Sequence, residues 1–331
     1  MKGSEKMLFK KCISVLLSLS IVMLTLCAVG VYNVKAIDNY SGTVYYVDAD
    51  NGNDNNNGTS ENTAFKSLDK VNGLTLSAGD AVLLKKGCVW TDTMLYPKGS
   101  GTEDKPITIS TYGEGEKPII ISGYDSNAGY DAAVLLKNQS YVVIDGLQAS
   151  NGNSSTESQY IVKVAMDNGY TTYGVEIKNC TIMGSDVNDW DSTNHSKLTG
   201  IEVFSNSYYG YIGSLLVEDN EIYNCKSIGI HVDGAYDGCS ANGTPNSSRS
   251  ARNVVIRGNY LENIGKDGIL VTNSYKPLIE YNTCATAHSY AQKSYHVAMW
   301  VFSSYNAVFQ YNESYDTKTT YDGQGFDCDY Q

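Results

Sequence analysis

Basic residues are scarce in this 331-residue chain. Its 24 lysines and arginines stand against 36 aspartates and glutamates, a net charge of −12. Such a balance disfavours nucleic acid and anionic membranes, so neither is expected as a partner. It also gives no long-range attraction for a polyanionic sugar, which would need local lysines or a bridging metal ion. No Cys-x-x-Cys pair or histidine–cysteine cluster occurs, which removes a zinc site. Nothing matches a phosphate loop or nucleotide motif. One apolar run lies at the N-terminus and no second one follows.

That run is flanked in a telling way. Lys2, Lys6, Lys10 and Lys11 precede the apolar stretch 13–31, and Val34-Lys35-Ala36 supplies a small-x-small processing site. Residues 1–36 therefore read as a cleaved signal peptide, with a mature chain starting near Ile37. The alternative is an uncleaved anchor, because the run approaches the ~20 residues that span a bilayer. The expected product is secreted, extracellular, monomeric and free of the membrane after cleavage. Loss of residues 1–36 takes five lysines and one glutamate, leaving 19 basic and 35 acidic residues and a net of −16. Six cysteines remain, at Cys88, Cys180, Cys225, Cys239, Cys284 and Cys328. Export would permit disulfides, but their wide spacing favours free thiols stacked in a core.

Residues 37–125 read as a non-repetitive N-terminal capping region. Strands are expected at Thr43–Val47, Asp80–Lys85 and Pro106–Thr111, with a short helix at Ser67–Asn72. The loop carrying Asp48, Asp50 and Asp54 lacks the glutamate that closes an EF-hand, and reads as a solvated turn.

Residues 126–331 repeat. A short apolar segment, an asparagine and a second apolar pair recur around Asn179, Asn220, Asn259, Asn282 and Asn312. The shortest interval suits one coil of a solenoid, and the longer ones imply inserted loops. Period-two alternation of Val, Ile and Tyr makes these strands rather than helices. Stacked coils set the asparagines above one another, where each amide can bond its neighbours. A second strand family opens on Gly200, Gly229, Gly268 and Gly325, with His296–Phe302 in the same slot. Its alternation sends Ile201, Val203, Ile230, Val232, Ile269, Val271, Val297, Met299, Phe326 and Cys328 inward. It displays Glu202, His231, Asp233, Thr272, Trp300, Asp327 and Asp329 on one exposed sheet, joined by Lys163. The fold class is thus all-β, a right-handed parallel β-helix with an N-terminal cap. The chain stops at Gln331 directly after a strand, which reads as a C-terminal truncation.

The segments Tyr45-Tyr46-Val47-Asp48, Asn51-Gly52-Asn53-Asp54, Asn57-Gly58-Thr59 and Lys105-Pro106-Ile107-Thr108-Ile109 resemble the N-terminal region of bacterial β-helix proteins of the pectate-lyase-like superfamily. Gln310-Tyr311-Asn312-Glu313 and Asp322-Gly323-Gln324-Gly325-Phe326-Asp327 share the likeness. The resemblance covers most of 43–331 and is specific for fold but poor for substrate. It implies Ca²⁺ held by Asp233, Asp322, Asp327 and Asp329, bridging to a uronate carboxylate. A lysine, Lys266 or Lys163, would then remove the C5 proton ahead of β-elimination. His231 is a further candidate acid or base. Trp300 and Phe302, with Glu202 beside them, would bind the polysaccharide, since a pyranose face stacks on aromatic rings. Tyr208, Tyr209 and Tyr211 could extend that platform.

The first reading is therefore a lyase on a uronate-containing, pectate-like polysaccharide. The second is a non-catalytic carbohydrate-binding or adhesive β-helix. The third is a glycoside hydrolase using paired aspartates; Asp-Gly-x-Gly-Phe-Asp is faintly similar to polygalacturonase motifs, whose Gly-His-Gly is absent.

Overall fold

The computed structural model describes residues 40–125, 129–152, 159–167, 169–184, 198–205, 210–234, 250–287, 296–318 and 324–329. The leader reading of 1–36 lies outside these, as do Asp322, Tyr208, Tyr209 and Cys239. Among the described residues no helix is long and apolar enough to cross a membrane.

The backbone coils through three faces. The first is a nine-stranded parallel sheet running from Val44–Val47 to Val308–Gln310. The second and third belong to one fifteen-stranded sheet, joined where Gly123 and Ala132 pair antiparallel. Everything else in these stacks pairs in parallel, each strand one coil from its neighbour. Stacking begins earlier than the repeats suggested. Val44–Val47, Ala81–Lys85 and Ile107–Tyr112 already form the head of the first sheet, so the capping region builds coils of its own. The helix appears at Leu68–Asn72, burying Leu68 and Val71.

The interior is one continuous column of Val, Ile, Leu and Ala from Val47 to Val301. Its walls approach closely where the third face begins. A Cβ on Gly229 would lie 2.7 Å from the Gly268 carbonyl, and one on Gly268 would lie 2.4 Å from that of Ala298. Glycine fits this approach at Gly229 and Gly268, and an alanine, Ala298, takes the same slot before Gly325. That explains the repeated glycine.

An asparagine ladder runs down the corner between the first and second faces. Asn220 accepts the Cys180 N–H and donates Nδ2 to Asn259 Oδ1 at 2.9 Å. Asn259 does the same to Asn282 at 2.9 Å, and Asn282 to Asn312 at 3.0 Å. Each amide also donates to a carbonyl of the coil before it, so the side-chain polar atoms of the ladder are satisfied inside the core. Asn179, expected in this series, stands one residue outside it. It is exposed with φ 53°, and Cys180 occupies the ladder position instead.

Cys88, Cys180, Cys225 and Cys284 are buried free thiols. They do not stack over one another: Cys284 pairs with Leu261, and Cys180 heads the ladder. Phe326 and Cys328 keep the inward register of Met299 and Val301 but are exposed, because no described coil covers them.

Truncating Asn259 would take a partner from four neighbouring polar groups in the core and leave the Asn220 N–H without its acceptor. Asn259→Ala is expected to cost about 3 kcal/mol or more, since each buried unsatisfied group costs about 1–3 kcal/mol. Asn312→Ala, at a half-buried rung, should cost less. Urea denaturation of both variants checks the order.

Candidate active site

On the third face the strands Gln159–Met166, Leu198–Ser205, Ile230–Asp233, Ile269–Thr272, Met299–Phe302 and Phe326–Asp329 lie side by side. Their register forms two rows. One runs Lys163, Glu202, His231, Leu270, Trp300, Asp327. The other runs Ala165, Phe204, Asp233, Thr272, Phe302, Asp329. Every described residue expected to be displayed here does belong to these rows. The face is not uniformly open, however.

At one end it is closed. Lys163 is 2% exposed, with its ammonium 4.1 Å from the Tyr160 ring centre and 5.1 Å from that of Phe204. Glu202 is buried too, 3.8 Å from that ammonium. Burial pushes the Lys163 pKa down to about 8, against the pull of Glu202 and Asp233. On its other side Glu202 accepts from His231 Nδ1 at 3.0 Å. Burial opposes the imidazolium, but Glu202 and Asp233 outweigh it and raise the His231 pKa. Thr272, expected outside, is buried and donates to Asp233, which also accepts from Asn273 at 2.8 Å.

The other end is open. Trp300 and Phe302 meet edge-on with ring centres 6.1 Å apart, and both are half-buried. Next to them in register stand Asp327, half-buried, and Asp329, exposed. As residues i and i+2 of one strand they share a face, with Cα atoms about 7 Å apart.

Asp267 was missed by the sequence reading, which took its neighbour Lys266 from the same turn. The buried Asp267 carboxylate accepts the Trp300 indole N–H at 2.9 Å, the Val297 amide at 3.0 Å and His296 Nδ1 at 3.0 Å. It clamps the indole in place. Its partners lie about thirty residues along the chain, so the turn alone carried no signal beyond an Asp-Gly step. Lys266 is half-buried in that turn, its backbone N–H bonded to Ser227.

Of the aspartates expected as one calcium set, Asp233 stands apart from Asp327 and Asp329. Two strands separate Asp233 from Asp329, about 14 Å at ~4.8 Å per strand, whereas calcium takes its oxygens at roughly 2.3–2.6 Å. Asp322 lies outside the described residues. Among the described residues three potential ligands converge only at Asp48, Asp50 and Cys88, where the Lys85 ammonium already sits 2.6 Å from Asp48. Asp54 bonds the backbone of Lys66 and Ser67. A separate groove of about 410 Å³, lined by Glu103, Tyr141, Glu176 and Arg257, opens on the first face, away from the aspartate pair.

A family model described as "Right handed beta helix region" matches residues 174–331. The chain has the right-handed β-helix fold. A lacto-N-biosidase of Bifidobacterium longum is 27% identical over 88% of this chain, which covers 24% of that protein. The crystal structure of a GH136 lacto-N-biosidase from Eubacterium ramulus superposes with a TM-score of 0.71 at 25% identity, over 87% of this chain and 56% of that one. The pectate lyase Pel9A aligns at a TM-score of 0.50 and 11% identity, a likeness of fold alone. The chain thus spans a quarter to just over half the length of the lacto-N-biosidases it matches. These relatives are glycoside hydrolases, which overturns the reading of the chain as a β-eliminating lyase on a uronate polymer. The superfamily resemblance was sound for fold and misleading for chemistry, since one solenoid carries both reactions.

The lowered Lys163 pKa has a consequence for stability. Below pH 8 the lysine is charged in both folded and unfolded chains, and the burial penalty is complete. Between about pH 8 and the usual lysine value of 10.5 the folded chain releases its proton first, so stability rises with pH across that window. The rise should be about 3 kcal/mol at most, at 1.36 kcal/mol per pKa unit. Comparing the parent with Lys163→Met by denaturation from pH 7 to 10.5 should show this rise only in the parent.

Proposed function

We propose that this chain carries the site of a glycoside hydrolase acting on a neutral oligosaccharide of the kind the lacto-N-biosidases cleave. One observation carries the reading: two aspartates on one strand face the same side, beside a clamped indole. Their Cα atoms stand about 7 Å apart on one face, a spacing from which two short side chains could place their carboxyl groups on either side of a scissile glycosidic bond. One would protonate the leaving oxygen. The other would attack the anomeric carbon or draw a proton from the attacking water. Trp300 would stack on a sugar ring and hold it over the pair, because C–H groups of a pyranose face fit a π surface.

The charge of the face supports a neutral substrate. Lys163, His231 and His296 each already stand against a carboxylate, while Asp327 and Asp329 would repel a uronate. No step in this scheme runs through a metal ion. The N-terminal reading fits the same picture, since a chain exported from the cell would meet glycans outside it.

Asp327→Asn and Asp329→Asn should each lower turnover of an aryl lacto-N-bioside by about 10²–10⁴-fold, the usual range for loss of a positioned acid or base. Sugar binding should persist in both. Either variant turning over at the parent rate would remove that aspartate from the mechanism.

A further inference from the structure

The closed end of the third face has no part in bond cleavage as described, yet it is the most elaborately built part of that face. Lys163, Glu202 and His231 occupy adjacent strands in one row, joined by contacts of 3.8 Å and 3.0 Å. A buried lysine under aromatic rings is a costly arrangement that a purely structural row would replace with apolar side chains. Its effect here is to hold Glu202, which in turn fixes the His231 ring by bonding Nδ1. Among the described residues no contact engages the second ring nitrogen, and the side chain is 17% exposed. The groups around it are few. Glu202 and Lys163 stand on one side and Asp233 on its own strand, while the next strand offers Leu270 and Thr272.

His231 and Asp327 share a row, three strands apart, or about 14 Å at ~4.8 Å per strand. Leu270 and Trp300 lie between them. A sugar chain laid along this row would present one ring to Trp300 beside the aspartates and a more distant ring to His231. We infer that His231, oriented by Glu202 with Lys163 behind it, is the hydrogen-bonding anchor for the sugar ring farther from the aspartate pair. The inference rests on the glycosidase reading for its direction but concerns binding. Glu202 and Lys163 are positioning residues that act through the imidazole.

Isothermal titration of the whole chain with lacto-N-biose and with a single sugar, N-acetylglucosamine, tests it. His231→Ala should weaken the two-ring sugar by about two- to tenfold, as for a lost hydrogen bond, and leave the single sugar unchanged. Glu202→Gln should weaken lacto-N-biose to a lesser extent. With an aryl lacto-N-bioside the loss should appear in KM, with kcat kept. His231→Gln, which restores a polar tip, should recover part of it. Circular dichroism checks the fold, and the isosteric Glu202→Gln carries the same comparison if His231→Ala does not fold. Equal binding of lacto-N-biose by parent, His231→Ala and Glu202→Gln overturns the inference alone. A parent chain that binds lacto-N-biose but does not cleave the aryl lacto-N-bioside overturns the glycosidase reading alone. A parent chain that binds neither sugar overturns both.

Discussion

Register is the constraint on which this molecule depends. Each coil pairs in parallel with the next, so a residue's neighbours in space are fixed by its place in the coil rather than by its distance in sequence. The asparagine ladder enforces that register at one corner, where each amide bonds both the adjacent asparagine and a carbonyl of the preceding coil. The glycine series enforces it at another, because a Cβ at Gly229 or Gly268 would collide with the next coil's backbone. A slip of one residue would turn every side chain of a strand to the opposite side. Both devices act in the core, and their product is the pair of straight rows on the third face.

Those rows join two electrostatic environments. At the closed end a buried lysine and glutamate and a partly exposed histidine compensate one another, where an unpaired charge would be expensive. At the open end two aspartates stand beside aromatic rings, with solvent access. The indole between the two is fixed by Asp267, which accepts three hydrogen bonds and thereby settles the orientation of the ring. A face of this kind suits an uncharged, hydroxyl-rich ligand with apolar ring faces, and suits a uronate poorly.

Much of the fold was legible because a solenoid writes its contacts as repeats. Alternating Ile and Val marked the inward columns, Gly200, Gly229 and Gly268 marked a close approach, and the asparagines marked a corner. The reading slipped at Asn179, where an asparagine in a left-handed turn imitates the ladder one residue early. It also took the third face to be open throughout. The rings over Lys163 include Tyr160 and Tyr130, the latter on a strand that enters through the one antiparallel junction and belongs to no repeat. Asp267 was hidden for the same reason, since its role is set by Trp300 a coil away. Asp233 has the same orientation as Asp329, but two strands lie between them, a distance that alternation along a strand does not record. Chemistry was the least legible layer, because paired carboxylates on a β-helix serve elimination with a metal and hydrolysis without one.

The most direct measurement of the central claim is the fate of solvent oxygen. An aryl lacto-N-bioside would be incubated with the chain in heavy-oxygen water and the products read by mass spectrometry. Hydrolysis predicts a released sugar carrying one solvent oxygen at its new reducing end and no unsaturated product. An unsaturated sugar without solvent oxygen, or no cleavage at all by the folded chain, would contradict the account.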